Sequence, residues 1–263
     1  GRTTTIVGFS TEAQYKEHFG PFTPGFLTVP FGDLAAIEAA ITPNTAAILF
    51  EPIQAEGGIL FPPDGFMAAL RTLCDKHNVL LIWDEIQTGF CRTGKKFAWE
   101  HEAAKPDLMC LGKALGGGVL PVSVVVGSSH VISVFNPGDH GSTFGGNPLA
   151  CVVALAAMAE MDDLNLAKQS EEKGAWLLAE LKKLPHSFIE DVRGRGLLVG
   201  LEVKEGTDTK KLANAFIANG ILTKETRSRT FRFAPPLTIT QAELEEVVAK
   251  TKASLDALVP VGV

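Results

Sequence analysis

Four apolar runs, each closed by a glycine or an acidic residue, constrain this chain more than any other feature: AAILFE (46–51), VLLIWD (79–84), DLMCLG (107–112) and VSVVVG (122–127). Their hydrophobicity is continuous, not alternating, which is the pattern of strands covered on both faces of a parallel sheet. Between the first two runs, Phe66, Leu70, Leu73 and Cys74 recur on one helical face, with Asp64 as the N-cap after Pro62 and Pro63. The segment therefore predicts a βαβ unit.

Asn147 followed by Pro148 has the form of an N-cap and an N1 proline, and the apolar stretch 149–161 behind it predicts a helix buried nearly all round. Composition changes near residue 163. A helix with Leu166, Leu177, Leu178, Leu181 and Leu184 on its apolar face leads to LLVGLEV (197–203). A helix over 210–219, a short ILTK strand, the FRF run at 231–233 and a closing amphipathic helix over 241–258 follow. The expectation is an α/β domain over 1–162 and a smaller α+β domain over 163–263.

The balance of 24 Lys and Arg against 30 Asp and Glu gives a net charge of −6 and supplies no basic field for nucleic acid or an anionic membrane. The apolar stretch 148–161 carries Glu160 and falls short of the roughly 20 residues that span a bilayer. Cys74, Cys91, Cys110 and Cys151 form no CxxC pair and have no His at metal-ligand spacing, so neither a metal site nor a disulfide framework is expected, and a reducing intracellular setting fits best. Small-molecule or protein partners are expected, with no nucleic acid and no membrane.

In an open parallel sheet, ligands sit outside the carboxyl ends of the strands, so Asp84, which ends VLLIWD, points at chemistry. An acidic pair after a strand also resembles the magnesium site of phosphate-loop ATPases. Those enzymes need GxxxxGK[ST], and Gly94-Lys95 lacks the hydroxyl residue while Gly112-Lys113 lacks both it and the leading glycine. GRGLLVG (194–200) is likewise not GxGxxG, because Val199 stands at the third glycine. Lys113 remains. It follows an apolar strand and Gly112, with Leu111, Ala114 and Leu115 around it, a setting that strips water from an ammonium and lowers its pKa, as carbonyl-amine chemistry requires.

DEIQTG (84–89), LGKALGGG (111–118), HGSTFGGNPLAC (140–151) and RFAPPL (232–237) together resemble the class III, pyridoxal-phosphate-dependent aminotransferases of fold type I, in order and over essentially the whole chain. Within that class GPFTPGF (20–26), EPIQAEGG (51–58), DEIQTGFCRTG (84–94) and RGRGLL (193–198) are most similar to the ornithine-specific branch. The resemblance implies a mainly parallel sheet flanked by helices, with 1–162 the C-terminal portion of a large cofactor-binding domain. It also implies transfer of the δ-amino group of L-ornithine to 2-oxoglutarate. N-acetylornithine or 4-aminobutyrate as the amine, or a non-catalytic scaffold of the same fold, are the alternatives.

It further implies a role for each matched residue. Lys113 would link covalently to pyridoxal 5'-phosphate and move protons. Asp84 would pair with the pyridine nitrogen, Gln87 would hydrogen-bond the ring's phenolic oxygen and Ile86 would pack on the ring face. Ser142 and Thr143 would reach the cofactor phosphate of the neighbouring subunit, making a homodimer part of the site. Arg232 would hold a substrate α-carboxylate, with Glu56 as its gatekeeper, and Arg2 would take the carboxylate of ornithine. Members of the class extend beyond Gly1 on the N-terminal side, where their phosphate-binding loop and pocket tyrosines lie, so the chain is expected to be an N-terminally truncated part of a longer polypeptide or to receive the missing region from a separate chain. Tyr15 is its one tyrosine and falls in a stretch (10–19) that resembles a surface loop.

Overall fold

The structure is a computed structural model and describes residues 3–227 and 229–258. The chain forms two compact units, residues 1–46 and 47–263. The first holds three short helices, α1 (Thr4–Gly8), α2 (Ala13–Lys16) and α3 (Leu34–Ala40). Asp33 caps α3 by accepting from the Ala36 N–H at 2.9 Å, and Val7 and Ile37 are its buried apolar residues. The stretch around Tyr15 contains α2 and is otherwise irregular.

The second unit opens with the expected βαβ: β1 (Ala47–Phe50), α4 (Phe66–His77) and β2 (Leu80–Asp84), continued by β3 (Leu108–Leu111) and β4 (Val124–Gly127) in the order β1-β2-β3-β4. The first three strands are parallel. Two expectations change here. The fourth strand is antiparallel to β3, and Val124, Val125 and Val126 are exposed, because it forms a sheet edge with no described element covering its faces. Nor does Asp64 cap α4. The N-cap is Gly65, in the left-handed region at φ 76°, and the free N–H groups of Gly65, Met67 and Ala68 donate to the Glu102 carboxylate at 3.3, 2.9 and 3.2 Å.

After the short α5 (Ser129–Ile132) comes α6 (Pro148–Asp163), capped as expected by Asn147, whose Oδ1 accepts from the Ala150 N–H at 2.9 Å. It is not buried all round. Leu149, Val152 and Leu155 are 65, 63 and 62 % exposed, and only Ala150, Ala154 and Met161 are buried. An apolar stretch specifies that a helix wants cover; it does not supply the cover.

Next come α7 (Leu166–Lys182), β5 (Ile189–Arg195), β6 (Leu198–Val203), α8 (Thr209–Ala218), β7 (Lys224–Thr226), β8 (Thr230–Phe233) and α9 (Gln241–Asp256). The second sheet is antiparallel in the order β5-β6-β8-β7. The strand expected over 221–224 begins only at Lys224, since Ile221 turns inward and donates its N–H to Phe216 O at 2.8 Å, closing α8. One core joins the sheets' surroundings: Phe90, Leu111, Leu115 and Ala154 belong to the same cluster as Leu177, Leu181, Leu201, Phe216, Phe231 and Phe233. Where α7 crosses the β5–β6 turn, a Cβ on Gly174 would lie 2.0 Å from the Gly196 carbonyl oxygen, so only glycine permits the approach.

Candidate active site

Three parallel strands end side by side, and each delivers a titratable residue. Phe50 is in register with Trp83 and Asp84 with Cys110, so Glu51 leaves β1 beside Asp84, and Gly112-Lys113 leave β3 on the other side of it. Lys113 opens a 3-10 turn (Lys113–Gly116) with φ 45°, a left-handed conformation that a lysine seldom adopts and that redirects the chain at this point.

The turn after β2 is held from within. Asp84 Oδ1 accepts from the Ile86 N–H at 3.0 Å. Glu85 faces the other way and is fully buried, accepting from the Trp99 N–H at 2.9 Å and from the Thr88 hydroxyl, while its own N–H donates to Cys110 O at 3.0 Å. Burial pushes the Glu85 carboxyl up, against the hydrogen bonds that favour its charge. With Glu85 anchored, Ile86 and Gln87 fall on the opposite side. Ile86 Cγ1 lies 3.8 Å from the position a Cβ would take on Gly112, so it stands over the peptide before Lys113.

Glu56 gathers the polar groups. Its Oε1 accepts from Arg232 Nη1 at 2.6 Å and from Gln87 Nε2 at 3.3 Å, its Oε2 accepts from Lys224 Nζ at 2.9 Å, and Arg232 Nη1 also donates to Gln87 Oε1 at 3.2 Å. Loss of water pushes the Glu56 carboxyl up, but the hydrogen bonds and charges of Lys224 and Arg232 outweigh it and bring its pKa down to about 2. Glu51 goes the other way, to about 7, through burial and the neighbouring Asp84 charge, opposed by the Ala55 backbone N–H and by Lys113. Lys113 is lowered, first by loss of water around its ammonium; Glu56, Asp84 and Glu51 oppose the shift and Arg232 adds to it.

Asp84, Gln87, Glu56, Arg232 and Lys113 are thus assembled from residues far apart in sequence, with Ile86 beside them. Ser142 and Thr143 lie on an exposed loop, where the Ser142 hydroxyl accepts from the Gly145 N–H at 3.0 Å. Arg2 lies outside the described residues. Two members of the cluster, Glu51 and Lys224, carried no assignment in the sequence. Glu51 stands in EPIQAEGG, and its place at the end of the apolar run 46–51 was the available signal; its proximity to Asp84 comes from strand register.

The model of the family "Aminotransferase class-III" matches residues 1–255. The chain belongs to this family. An ornithine aminotransferase of Brevibacillus brevis is 49% identical over 255 residues, 97% of this chain and 63% of that protein. An ornithine aminotransferase 2 of Staphylococcus aureus is 50% identical over 252 residues, covering 96% and 63%. Among solved structures, an ornithine aminotransferase from Toxoplasma gondii, described with partial occupancy of PLP at its active site, superposes with a TM-score of 0.96 at 44% identity, covering 98% of this chain and 62% of that one. An acetylornithine aminotransferase from Elizabethkingia anophelis superposes with a TM-score of 0.84 at 44% identity, covering 89% and 63%. The chain therefore spans a little under two thirds of the length of these relatives. Class III aminotransferases are dependent on pyridoxal phosphate, and the donor set here suits that group: an amine of lowered pKa, a carboxylate at an adjacent strand end and an amide beside it. Among the described residues no helix is long and apolar enough to cross a membrane.

Proposed function

We propose that this chain is the larger part of an ornithine δ-aminotransferase, which moves the δ-amino group of L-ornithine to 2-oxoglutarate and yields glutamate 5-semialdehyde and glutamate. The observation that carries the reading is the 2.6 Å pair between Glu56 and Arg232 in the cluster with Gln87, close enough to Lys113 for both charges to act on it. A site that takes a terminal amine in one half reaction and a dicarboxylate in the next needs an arginine that can be masked and unmasked. The names of the similar proteins from B. brevis and S. aureus support the same substrate.

Pyridoxal phosphate, when bound, supplies a ring that accepts the electrons released as a substrate carbon loses its proton. This chain's residues do the rest. Lys113, whose pKa is lowered by loss of water around its ammonium, would hold the cofactor through Nζ and would take and return the substrate's proton at that atom. Asp84 would pair with the pyridine nitrogen and keep it protonated, Gln87 would hydrogen-bond the phenolic oxygen and Ile86 would pack on the ring face. Arg232 offers a planar fork to an α-carboxylate once Glu56 releases it. Arg2 takes the carboxylate of ornithine. Ser142 and Thr143 serve the phosphate of a second copy, so that the working unit is a homodimer. Residues 1–162 belong to the large cofactor-binding domain and 163–263 form the small domain.

Borohydride reduction of the complete polypeptide with its cofactor is expected to fix the label on the peptide carrying Lys113. A Lys113→Ala protein that still transaminates overturns the proposal. Comparing kcat/KM for L-ornithine, N-acetyl-L-ornithine and 4-aminobutyrate tests the substrate. A preference for the acetylated amine would transfer the assignment to the activity named for the E. anophelis structure.

A further inference from the structure

Lys224 and Arg232 sit opposite one another in the antiparallel β7–β8 pair, so two cations project from one face of the sheet at neighbouring positions. Like charges so placed repel. Glu56 lies between them and divides itself, Oε1 to Arg232 at 2.6 Å and Oε2 to Lys224 at 2.9 Å. Binding a carboxylate requires one arginine and masking it requires one glutamate; the second cation is surplus to both tasks. Its character differs as well. The Arg232 side chain is 17 % exposed and the Lys224 side chain 64 %, so Arg232 suffers far more from losing its anion than Lys224 does.

We propose that Lys224 is a specificity-determining residue that retains Glu56 while Arg232 is occupied by the dicarboxylic oxo acid. The inference rests on the reaction proposed above. When the incoming carboxylate takes the Arg232 fork, Glu56 gives up Oε1 contacts and would otherwise stand as an unpaired anion beside a second anion. Its Oε2 remains on Lys224, and the carboxylate pivots about that contact toward solvent. The exchange leaves the partly buried arginine paired throughout, and the contact that persists is the exposed one, which costs little to hold or to bend.

The test is binding of glutarate, an unreactive dicarboxylate, to the holoenzyme by calorimetry, with butanoate as the monocarboxylate control. Lys224→Met is expected to weaken glutarate about tenfold and to raise KM for 2-oxoglutarate by a similar factor, and Lys224→Arg is expected to restore both. In a Glu56→Gln background, Lys224→Met is expected to change glutarate binding less than twofold. Unchanged glutarate binding in Lys224→Met, or an equal loss with and without Glu56, overturns the inference; the second result would make Lys224 a simple attractor of anions. Glutarate binding is read without turnover, so a holoenzyme that ignores L-ornithine would reject the reaction and not this role for Lys224.

Discussion

Glu51 and Glu56, five positions apart in one loop, are driven in opposite directions by what faces them. Glu56 has two cations on its two oxygens and stays ionised down to about pH 2. Glu51 has an anion, Asp84, beside it and little water, and holds its proton up to about pH 7. In an unfolded chain Glu51 would ionise near 4.5, so between these values the folded state keeps a proton that the unfolded state has lost. Stability therefore falls as pH rises from about 4.5 to 7 and stays lower above that range. Glu51→Gln, neutral at every pH, is expected to raise the stability of the cofactor-free protein above pH 7 by at most about 3 kcal/mol, and to leave it unchanged below pH 4. Thermal melts across pH 4–8 measure this, and parallel curves for the two proteins would contradict it. Lys113, Asp84, Gln87, Glu56 and Arg232 were all legible as candidates in the sequence, because each stands in a motif. Lys224 was not, since KETR carries no motif and the residue acquires meaning only from the register that sets it opposite Arg232.

Helix α4 shows how an element can form where expected and be capped from elsewhere. Its apolar face was readable from the spacing of Phe66, Leu70, Leu73 and Cys74, all of which are buried. Its N-terminus was not, because the capping carboxylate belongs to Glu102, in the loop before β3. Glu102→Ala is expected to cost about 1–2 kcal/mol by leaving the first-turn N–H groups without their acceptor. Chemical denaturation reads this directly, and a change below about 0.3 kcal/mol would show that water substitutes for the carboxylate. The same distinction applies to β4 and α6. Their apolar composition predicted burial, whereas burial depends on neighbours, and Val125, Leu149 and Val152 have few among the described residues.

Across the second unit, Arg92 ties segments that are distant in the chain. Its Nη1 donates to Leu197 O at 3.0 Å and to Pro235 O at 2.7 Å, its carbonyl accepts from the Leu197 N–H at 3.0 Å, and the Ser170 hydroxyl donates to that same carbonyl at 2.9 Å. Burial lowers the guanidinium to about 10, so it remains charged at neutral pH. The turn after β2, helix α7, the start of β6 and the loop after β8 are thereby joined near the site. Arg92→Met keeps the apolar stem of the side chain but removes the guanidinium and leaves both carbonyls without this donor, at an expected cost of about 2–4 kcal/mol. Because Pro235 follows Arg232 closely, the variant is also expected to loosen the substrate arginine and raise KM for 2-oxoglutarate more than it lowers kcat. Equal stability of the two proteins would remove Arg92 from this role.

Local chemistry in the sequence determined that three apolar runs become parallel strands, that Asn147-Pro148 starts a helix, and that Asp84 and Lys113 stand at strand ends, since periodicity, capping and turn residues act over a few positions. Tertiary structure alone decided the partners: Glu51 beside Asp84, Glu102 on α4, and Lys224 opposite Arg232 on a shared carboxylate. Glu51 and Asp84, Glu102 and the first turn of α4, and Glu56 and its two cations are more than thirty positions apart, and only strand register and packing, which no local pattern encodes, bring them within hydrogen-bonding or Coulombic reach.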